Sequence, residues 1–304
     1  MHARQLDKIL HLPARQRFGV IAEGVAHLAA SVATLEADAA PLAAARRHQS
    51  AAVLRCFADE EAAKVLILLD VARAGWGHQN RQRVEQLLRR RFYQHLARGL
   101  YVQAYGGAPA DLAEVRRYVN GLRAEFYLDG PMDVDWIFSN EVITRREERL
   151  YVDYIRDEDG NGSWTGPASR AAMIDEPFQH APIPSVAIRL VGAMHRLGLL
   201  TENGFQATQA VWDGIEVDDS MHWSALRPLN VAVIQRLVDA GLRLNDDENV
   251  EAARFVCEHW IFPLYTLELD MEQVAPADLQ AARERRLAAE FGLTEDLAYY
   301  YGGE

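Results

Sequence analysis

The segment SAAVLRCFADEEAAK, residues 50–64, decides the fold because it reads as one helix with an apolar face and a charged edge. The pattern extends in both directions and predicts a helix from about Ala43 to Ala74. Its inner stripe consists of Val53, Leu54, Phe57, Val65, Leu68 and Leu69. A helix breaker follows at Gly75, Gly77 and Asn80, so the helix ends there.

An acidic and basic pair lies on the charged edge of this helix. Residues three or four apart share a helix face, so Glu60 and Glu61 can each reach Lys64. Glu61 also lies near the apolar stripe, where an isolated carboxylate is costly, and it therefore needs a cationic partner. The alternative interpretation is an ordinary surface ion pair that contributes little energy.

The next predicted helix, from about Arg81 to Tyr105, is strongly basic. Arg91 and His95 lie four residues apart on its apolar side, and Arg98 lies three residues further on. The other arginines of this helix are Arg81, Arg83, Arg89 and Arg90. The pattern predicts a local anion site, and the alternative is a packed core histidine beside a solvated basic face.

This pair of residue types suits RNA cleavage without a metal. A base must remove the proton of the 2′-hydroxyl while a cation stabilises the charge that gathers on the phosphate. Histidine suits the first role because its intrinsic pKa is near neutrality, which makes His95 the candidate. Arginine suits the second because its guanidinium grips two phosphate oxygens, which makes Arg91 a candidate.

The remaining N-terminal segments also read as helices. Apolar residues recur every three or four positions from Arg17 to Asp38, and Pro41 is expected to break that helix. A further helix is expected from Asp111 to Tyr127.

The pattern changes after these helices. Residues 149–167 are rich in strand-favouring types around a strong turn signal, Asp157-Glu-Asp-Gly-Asn-Gly162, and predict a small β-hairpin. Three prolines mark residues 176–185 as a linker. Short helices then follow, such as Val186 to Leu197 before Gly198 and Val231 to Ala240 before Gly241.

Composition limits the classes of function. The 304 residues carry a formal net charge of -12, so RNA binding must be local rather than spread over the whole surface. Cys56 and Cys257 are far apart in sequence and predict reduced thiols, as expected in the cytoplasm. We also expect no secretory signal and no membrane span.

Other sites are weaker candidates. Asp157, Asp159, Asn161 and Gly162 imitate the first half of a calcium loop, but Ala168 stands where a bidentate Glu is required, so a hairpin turn is preferred. Neither cysteine has a nearby partner and the histidines are scattered, so we expect no metal or other cofactor. Phosphate-binding loops and serine nucleophile motifs are absent from the sequence.

Together these helices resemble the abortive-infection family AbiV of the HEPN superfamily. The resemblance is carried by residues 50–54, by Ala58-Asp-Glu-Glu-Ala-Ala-Lys64, and by Phe92-Tyr-Gln-His95-Leu-Ala-Arg98. Leu150-Tyr-Val-Asp153 with Trp164 and Pro167 extends it, so it covers roughly residues 15–175. The implied fold is mainly α: a HEPN-type helical bundle with a small β-hairpin, here followed by a C-terminal helical region.

The resemblance implies a homodimer in which two Arg-x4-6-His motifs meet in one cleft. His95 matches the motif histidine; Arg89 or Arg90 satisfies the spacing, while Arg91 fits a shorter version with better helix geometry. Glu61, Lys64 and Arg98 would bind substrate or shape the cleft. The expected function is antiphage defence by a metal-independent endoribonuclease that takes RNA as its substrate.

A second hypothesis remains open. The chain is acidic overall and lacks the polar residue, such as Asn, that commonly follows the motif arginine. A non-catalytic dimeric sensor or adaptor that binds RNA or a phage or host protein is therefore the alternative. In either case we expect a HEPN domain at residues 1–175 with its hairpin, a linker at 176–185, and a second helical domain at 186–304.

Overall fold

The computed structural model describes residues 5–126, 140–156, 162–167, 183–244 and 246–275, together with 278 and 281. Its α-helices are α1 (Ala14–Ala44), α2 (His48–Ala74), α3 (Arg81–Gln86), α4 (His95–Tyr105), α5 (Leu112–Leu122), α6 (Glu141–Leu150), α7 (Val186–Arg196), α8 (Glu202–Trp212), α9 (Trp223–Asp239) and α10 (Asp247–His259). The strands are β1 (Ala124–Phe126), β2 (Asp153–Arg156), β3 (Gly162–Thr165) and β4 (Glu272–Val274). The mainly α prediction is confirmed.

Helices α1 and α2 pack along each other and lie at the centre of the core. The buried face of α1 carries Phe18, Ile21, Val25, Ala29 and Val32 at helical spacing, and α2 is buried almost completely from Ala62 to Ala74. Among the described helices, α1 alone is long and apolar enough to cross a membrane by length and composition. Core helices of soluble proteins pass the same test.

The expected break at Pro41 is wrong. Helix α1 runs through this proline to Ala44. Proline removes one backbone bond, to the carbonyl of Ala37, and this carbonyl belongs to an exposed residue about two turns from the helix end. The chain turns instead at residues 45–47, where Arg46 has a φ of 59°.

The single helix expected from Arg81 to Tyr105 is also wrong. Helix α3 passes into a π-helical turn at Leu87–Arg91, in which the Phe92 amide donates to the Leu87 carbonyl at 3.0 Å. Gln94 is extended, with φ -84° and ψ 128°, and α4 then begins at His95. The chain bends here because the Arg98 guanidinium donates to the carbonyls of Tyr93 and Gln94, at 3.3 and 3.2 Å.

The expected helix from Asp111 to Tyr127 is shorter than predicted. Asp111 caps α5 by accepting from the Glu114 amide at 2.8 Å, while the Glu114 carboxylate accepts from the Ala110 amide at 2.7 Å. The helix ends at Leu122, and β1 pairs in parallel with β4, with Ala124 opposite Glu272. A strand partner from the far end of the chain thus replaces the last helical turn.

The predicted β-hairpin is confirmed. Strands β2 and β3 are antiparallel, and Tyr154 lies opposite Trp164. The turn at residues 157–161, and with it most of the imitation calcium loop, lies outside the described residues.

The C-terminal helices agree in part with the prediction. Ser185 caps α7 by accepting from the Ile188 amide at 3.2 Å, and Gly198 follows the helix with a φ of 73°. Helix α9 begins at Trp223, earlier than expected, and passes through Pro228 in its second turn. Only one backbone bond near the helix start is lost there, so the helix tolerates the proline.

One hydrophobic core cluster joins both ends of the chain. It contains Phe18 and Leu66 from the N-terminal helices and Leu190, Phe205 and Trp260 from the C-terminal part. Most of the predicted linker lies outside the described residues. The division at 176–185 stays a prediction, while the segments on either side of it pack together.

Candidate functional site

A cluster of charged side chains lies where α2, α4 and α6 meet. We call it the Glu60 cluster, and it consists of Glu60 from α2, His95 and Arg98 from α4, and Arg146 from α6. The break before His95 sets the start of α4, which places His95 and Arg98 on its first turn facing Glu60. Three separate elements thus converge on one carboxylate.

The carboxylate of Glu60 is shared among three cationic groups. Its Oε1 accepts from Arg146 Nε at 2.6 Å and lies 2.9 Å from His95 Nδ1. Its Oε2 lies 3.1 Å from an Nη of Arg98. Two arginines against one carboxylate leave the cluster with a positive charge even when the imidazole is neutral.

Exposure separates the histidine from the rest of the cluster. The side chain of His95 is 48% exposed, whereas those of Glu60 and Arg98 are 13% and 7% exposed. The imidazole is therefore the most exposed side chain of the cluster, and the more buried side chains contact it from the protein interior.

The electrostatics keep Glu60 ionised. Burial alone would raise the pKa of its carboxyl, but hydrogen bonds from Arg146 and His95 and the charge of Arg98 outweigh it, so the pKa lies below its usual value. Burial would lower the pKa of Arg146, but the hydrogen bond to Glu60 raises it overall. The ion pair is therefore fully charged at neutral pH.

The tautomer of His95 follows from its neighbours. Nδ1 lies 2.9 Å from both Glu60 Oε1 and an Nη of Arg98, and it can donate to the first or accept from the second but not both. Donation to the ionised Glu60 carboxylate leaves the Nε2 lone pair free. This is the form that a general base requires.

The three candidate arginines before His95 differ sharply. Arg91 is buried and donates to the carbonyls of Leu267 at 2.7 Å and Tyr265 at 3.4 Å. Arg89 and Arg90 are 70% and 61% exposed and form ion pairs with Glu85 and Asp270. Arg91 thus contacts protein backbone, and only its two neighbours present guanidinium groups to solvent.

Glu61 and Lys64 form an ion pair of their own. Lys64 Nζ lies 2.6 Å from Glu61 Oε1, and it lies 5.7 Å from the ring centre of Phe92. The structure therefore joins these two residues to each other, as the spacing predicts. The carboxylate that contacts His95 is Glu60, one position earlier.

Sequence reasoning missed Glu60 and Arg146 as site residues. The sequence pattern predicts Glu60 only as a partner of Lys64, and a one-residue shift on a helix turns a side chain by about 100°. Arg146 lies in the polar segment Arg145-Arg-Glu-Glu148, where no periodic pattern distinguishes one arginine from another. A basic cluster just before the hairpin was the available signal.

A second charged cluster lies ten residues further along α2, and we call it the Asp70 cluster: Asp70, Arg73 and Tyr101. All three side chains are buried; Asp70 accepts from Tyr101 at 2.9 Å and from the Leu264 amide at 2.7 Å. Arg73 donates to the Ile261 carbonyl at 2.8 Å and lies 4.0 Å from the ring centre of Trp260. Burial raises the pKa of Asp70 despite the nearby Arg73.

Asp59 precedes Glu60 and lies in a different environment. Burial raises its pKa to about 6, although a hydrogen bond from the Ser185 hydroxyl and the charge of Arg149 act in the opposite direction. Ser185 also caps α7, so this carboxyl joins α2 to the start of the C-terminal helices.

Metal binding has no support in the part of the chain that the structure describes. No three side chains of His, Cys, Asp or Glu come together there in a way that could hold an ion.

The family model HEPN_AbiV, described as AbiV, matches residues 20–173, which is half of the chain. The chain therefore belongs to the AbiV family of HEPN proteins, and membership indicates a role in abortive infection, a form of antiphage defence. No curated protein and no solved structure matches the chain.

Proposed function

We propose that the protein is a metal-independent endoribonuclease of abortive infection that acts as a homodimer. One observation carries the proposal: a half-exposed imidazole is held by an ionised carboxylate and flanked by two guanidinium groups, in a member of the AbiV family. His95 is the acid/base in this proposal, and RNA is the substrate.

The reaction is a transfer within the RNA backbone. His95 Nε2 takes the proton of a 2′-hydroxyl, and the oxygen attacks the adjacent phosphorus. The bond from phosphorus to the 5′-oxygen breaks, and that oxygen leaves with a proton. The products are a 2′,3′-cyclic phosphate and a 5′-hydroxyl, and neither a metal nor a redox partner is required.

The other members of the Glu60 cluster position the His95 ring and stabilise the charges that develop during the reaction. Glu60 fixes the His95 ring through Nδ1 and stabilises the imidazolium that forms, while Arg98 and Arg146 supply positive charge beside the phosphate. Arg89 and Arg90 have exposed guanidinium groups that suit contacts to flanking phosphates. A second copy brings another His95 into the same cleft, where one imidazole accepts a proton and the other delivers one.

The decisive experiment compares RNA cleavage by the wild-type protein and His95→Ala in EDTA. Wild-type protein should leave 2′,3′-cyclic phosphate ends, and the variant should lose at least 100-fold in rate, since general acid–base catalysis typically contributes about 10²–10⁴-fold. His27→Ala changes an exposed histidine on α1 and serves as the control. Equal residual activity in wild-type and His95→Ala protein would refute the assignment.

Glu60→Gln tests the positioning role. The amide keeps the shape but removes the charge that stabilises the imidazolium, so kcat should fall more than KM rises. Light scattering measures whether the purified wild-type protein is a dimer. If it is a monomer and still cleaves RNA, a cleft shared between two copies is ruled out.

The non-catalytic sensor or adaptor remains the second candidate. It is favoured by Arg91, whose guanidinium is occupied by backbone carbonyls rather than open to a phosphate. If His95→Ala protected cells from phage as well as wild-type protein did, and purified wild-type protein left RNA intact, the adaptor would replace the nuclease.

A further inference from the structure

A small cavity lies at the far end of α2 from the Glu60 cluster. It has a volume of about 100 Å³ and is lined by Leu10, Arg17, Gly75, Trp76, Arg81 and Val84. Residues 60 and 75 are fifteen positions apart, which corresponds to about 22 Å along the helix axis. The cavity is therefore separate from the proposed catalytic site.

The cavity wall is positively charged. Arg17 and Arg81 both line it, and its lining contains no acidic residue. Among the described residues, no side chain pairs with Arg81, whereas Arg83 contacts Asn80 and Arg89 contacts Glu85. Two positive charges without a matching carboxylate attract an anion.

Two hydrogen bonds and a ring contact hold the Arg17 guanidinium in place. Its Nε and one Nη donate to the carbonyls of Leu12 at 2.9 Å and Leu10 at 3.1 Å, and its guanidinium carbon lies 5.0 Å from the ring centre of Trp76. A guanidinium has five N–H donors, so donors remain for a ligand. Binding then costs little side-chain ordering at this residue.

Trp76 supplies an aromatic wall of the cavity. Its ring lies against the Arg17 guanidinium and helps to hold that group in place. Its indole Nε1 has almost no accessible surface, so the charge for a ligand comes from the two arginines.

We infer that this cavity is a binding site for a phosphate group, held by Arg17 and Arg81. One water needs about 10–15 Å³ on this measure of volume, so the cavity accommodates a group of several atoms. Arginines bind phosphate through paired, charge-assisted hydrogen bonds, so two guanidinium groups at one cavity suit this ligand. The site is independent of RNA cleavage at His95.

The test is calorimetric titration of the full chain with inorganic phosphate and, separately, with a 5′-mononucleotide. Arg81→Gln should weaken phosphate binding about tenfold, which corresponds to about 1.4 kcal/mol. The control is Arg83→Gln, an exposed arginine two positions away that does not line the cavity, and it should bind within twofold of wild type.

Trp76→Leu removes the ring against which the Arg17 guanidinium lies, and it should weaken phosphate binding several-fold. Tighter binding of the mononucleotide than of phosphate identifies a nucleotide as the source of the group, and equal affinity identifies free phosphate. Equal losses in Arg81→Gln and Arg83→Gln, or no binding by wild-type protein, would overturn the site. A His95→Ala protein that still binds phosphate normally would show that this site stands apart from the nuclease proposal.

Discussion

Glu60 and Asp70 lie on the same helix, and each carboxylate binds arginine, yet their surroundings are opposite. Asp70 is completely buried, and its arginine and tyrosine partners are buried with it. Glu60 faces an edge of the bundle, where its partner His95 is half exposed. The Asp70 cluster is balanced in charge and bonded to the backbone, whereas the Glu60 cluster has surplus positive charge at the surface. Exposure and charge balance, rather than residue type, separate a structural cluster from a candidate site.

The largest expected effect comes from breaking the buried cluster. Asp70→Ala removes the carboxylate that binds Arg73, Tyr101 and the Leu264 amide, and it leaves a buried cation. The free energy of unfolding should fall by about 3–5 kcal/mol in urea denaturation. A loss below 1 kcal/mol would contradict a structural role for the cluster.

The next effect separates two neighbouring arginines. Arg91→Ala should cost about 1.5–3 kcal/mol, because the carbonyls of Tyr265 and Leu267 lose a charged donor in a buried place. Arg90→Ala removes an exposed ion pair with Asp270 and should cost at most about 1 kcal/mol. Equal losses would mean that burial does not distinguish the two residues.

The free energy of unfolding should depend on pH through Asp59, the buried carboxyl next to Glu60. Its pKa of about 6 lies above the ordinary 3.8, so between about pH 4 and 6 the folded protein holds a proton that the unfolded chain releases. The contribution of Asp59 to stability therefore falls as the pH rises through this range. As the pH rises from about 4 to 6, urea denaturation should show that the wild-type protein loses free energy of unfolding relative to Asp59→Asn. A difference that stays constant with pH would refute the raised pKa.

The smallest effect is expected at the Glu61–Lys64 pair. Both side chains are partly exposed, so Lys64→Ala should lower the free energy of unfolding by less than about 1 kcal/mol. The loss should shrink further in 1 M salt, because salt screens exposed charges. A large, salt-independent loss would place this pair with the buried cluster instead.

The helices with a regular apolar stripe could be predicted from the sequence. The stripe of α1 has the period of a helix that buries one side, and the turn residues between β2 and β3 favour a hairpin. The stripe predicted for α2 is wrong at Phe57, which is 41% exposed, because α2 buries nearly all of its sides only from Ala62 onward. The bend before His95 could not be predicted, because it contains neither glycine nor proline. It depends on Arg98 reaching back to two carbonyls, and local sequence does not reveal that contact.

The candidate site was predicted in part for similar reasons. His95 and Arg98 stood out because basic residues recur on one short segment, and their places do not depend on distant parts of the chain. Glu60 and Arg146 meet across a separation of 86 residues, so only the folded chain brings them together. The buried role of Arg91 depends on carbonyls more than 170 residues away, which helix periodicity cannot anticipate.

The contacts between α2 and the segment from Trp260 to Leu269 also have a consequence for synthesis. Asp70 is synthesised before its hydrogen-bond partner, the Leu264 amide, which lies 194 residues later in the chain. At about 5–20 residues per second, a ribosome needs about 10–40 s to make the intervening chain. During that time the nascent N-terminal helices carry Asp70, Arg73 and Arg91 without their backbone partners. The bundle can therefore close its charged interior only after residues 260–269 have been synthesised, so the Asp70 cluster forms later than the helices that carry it.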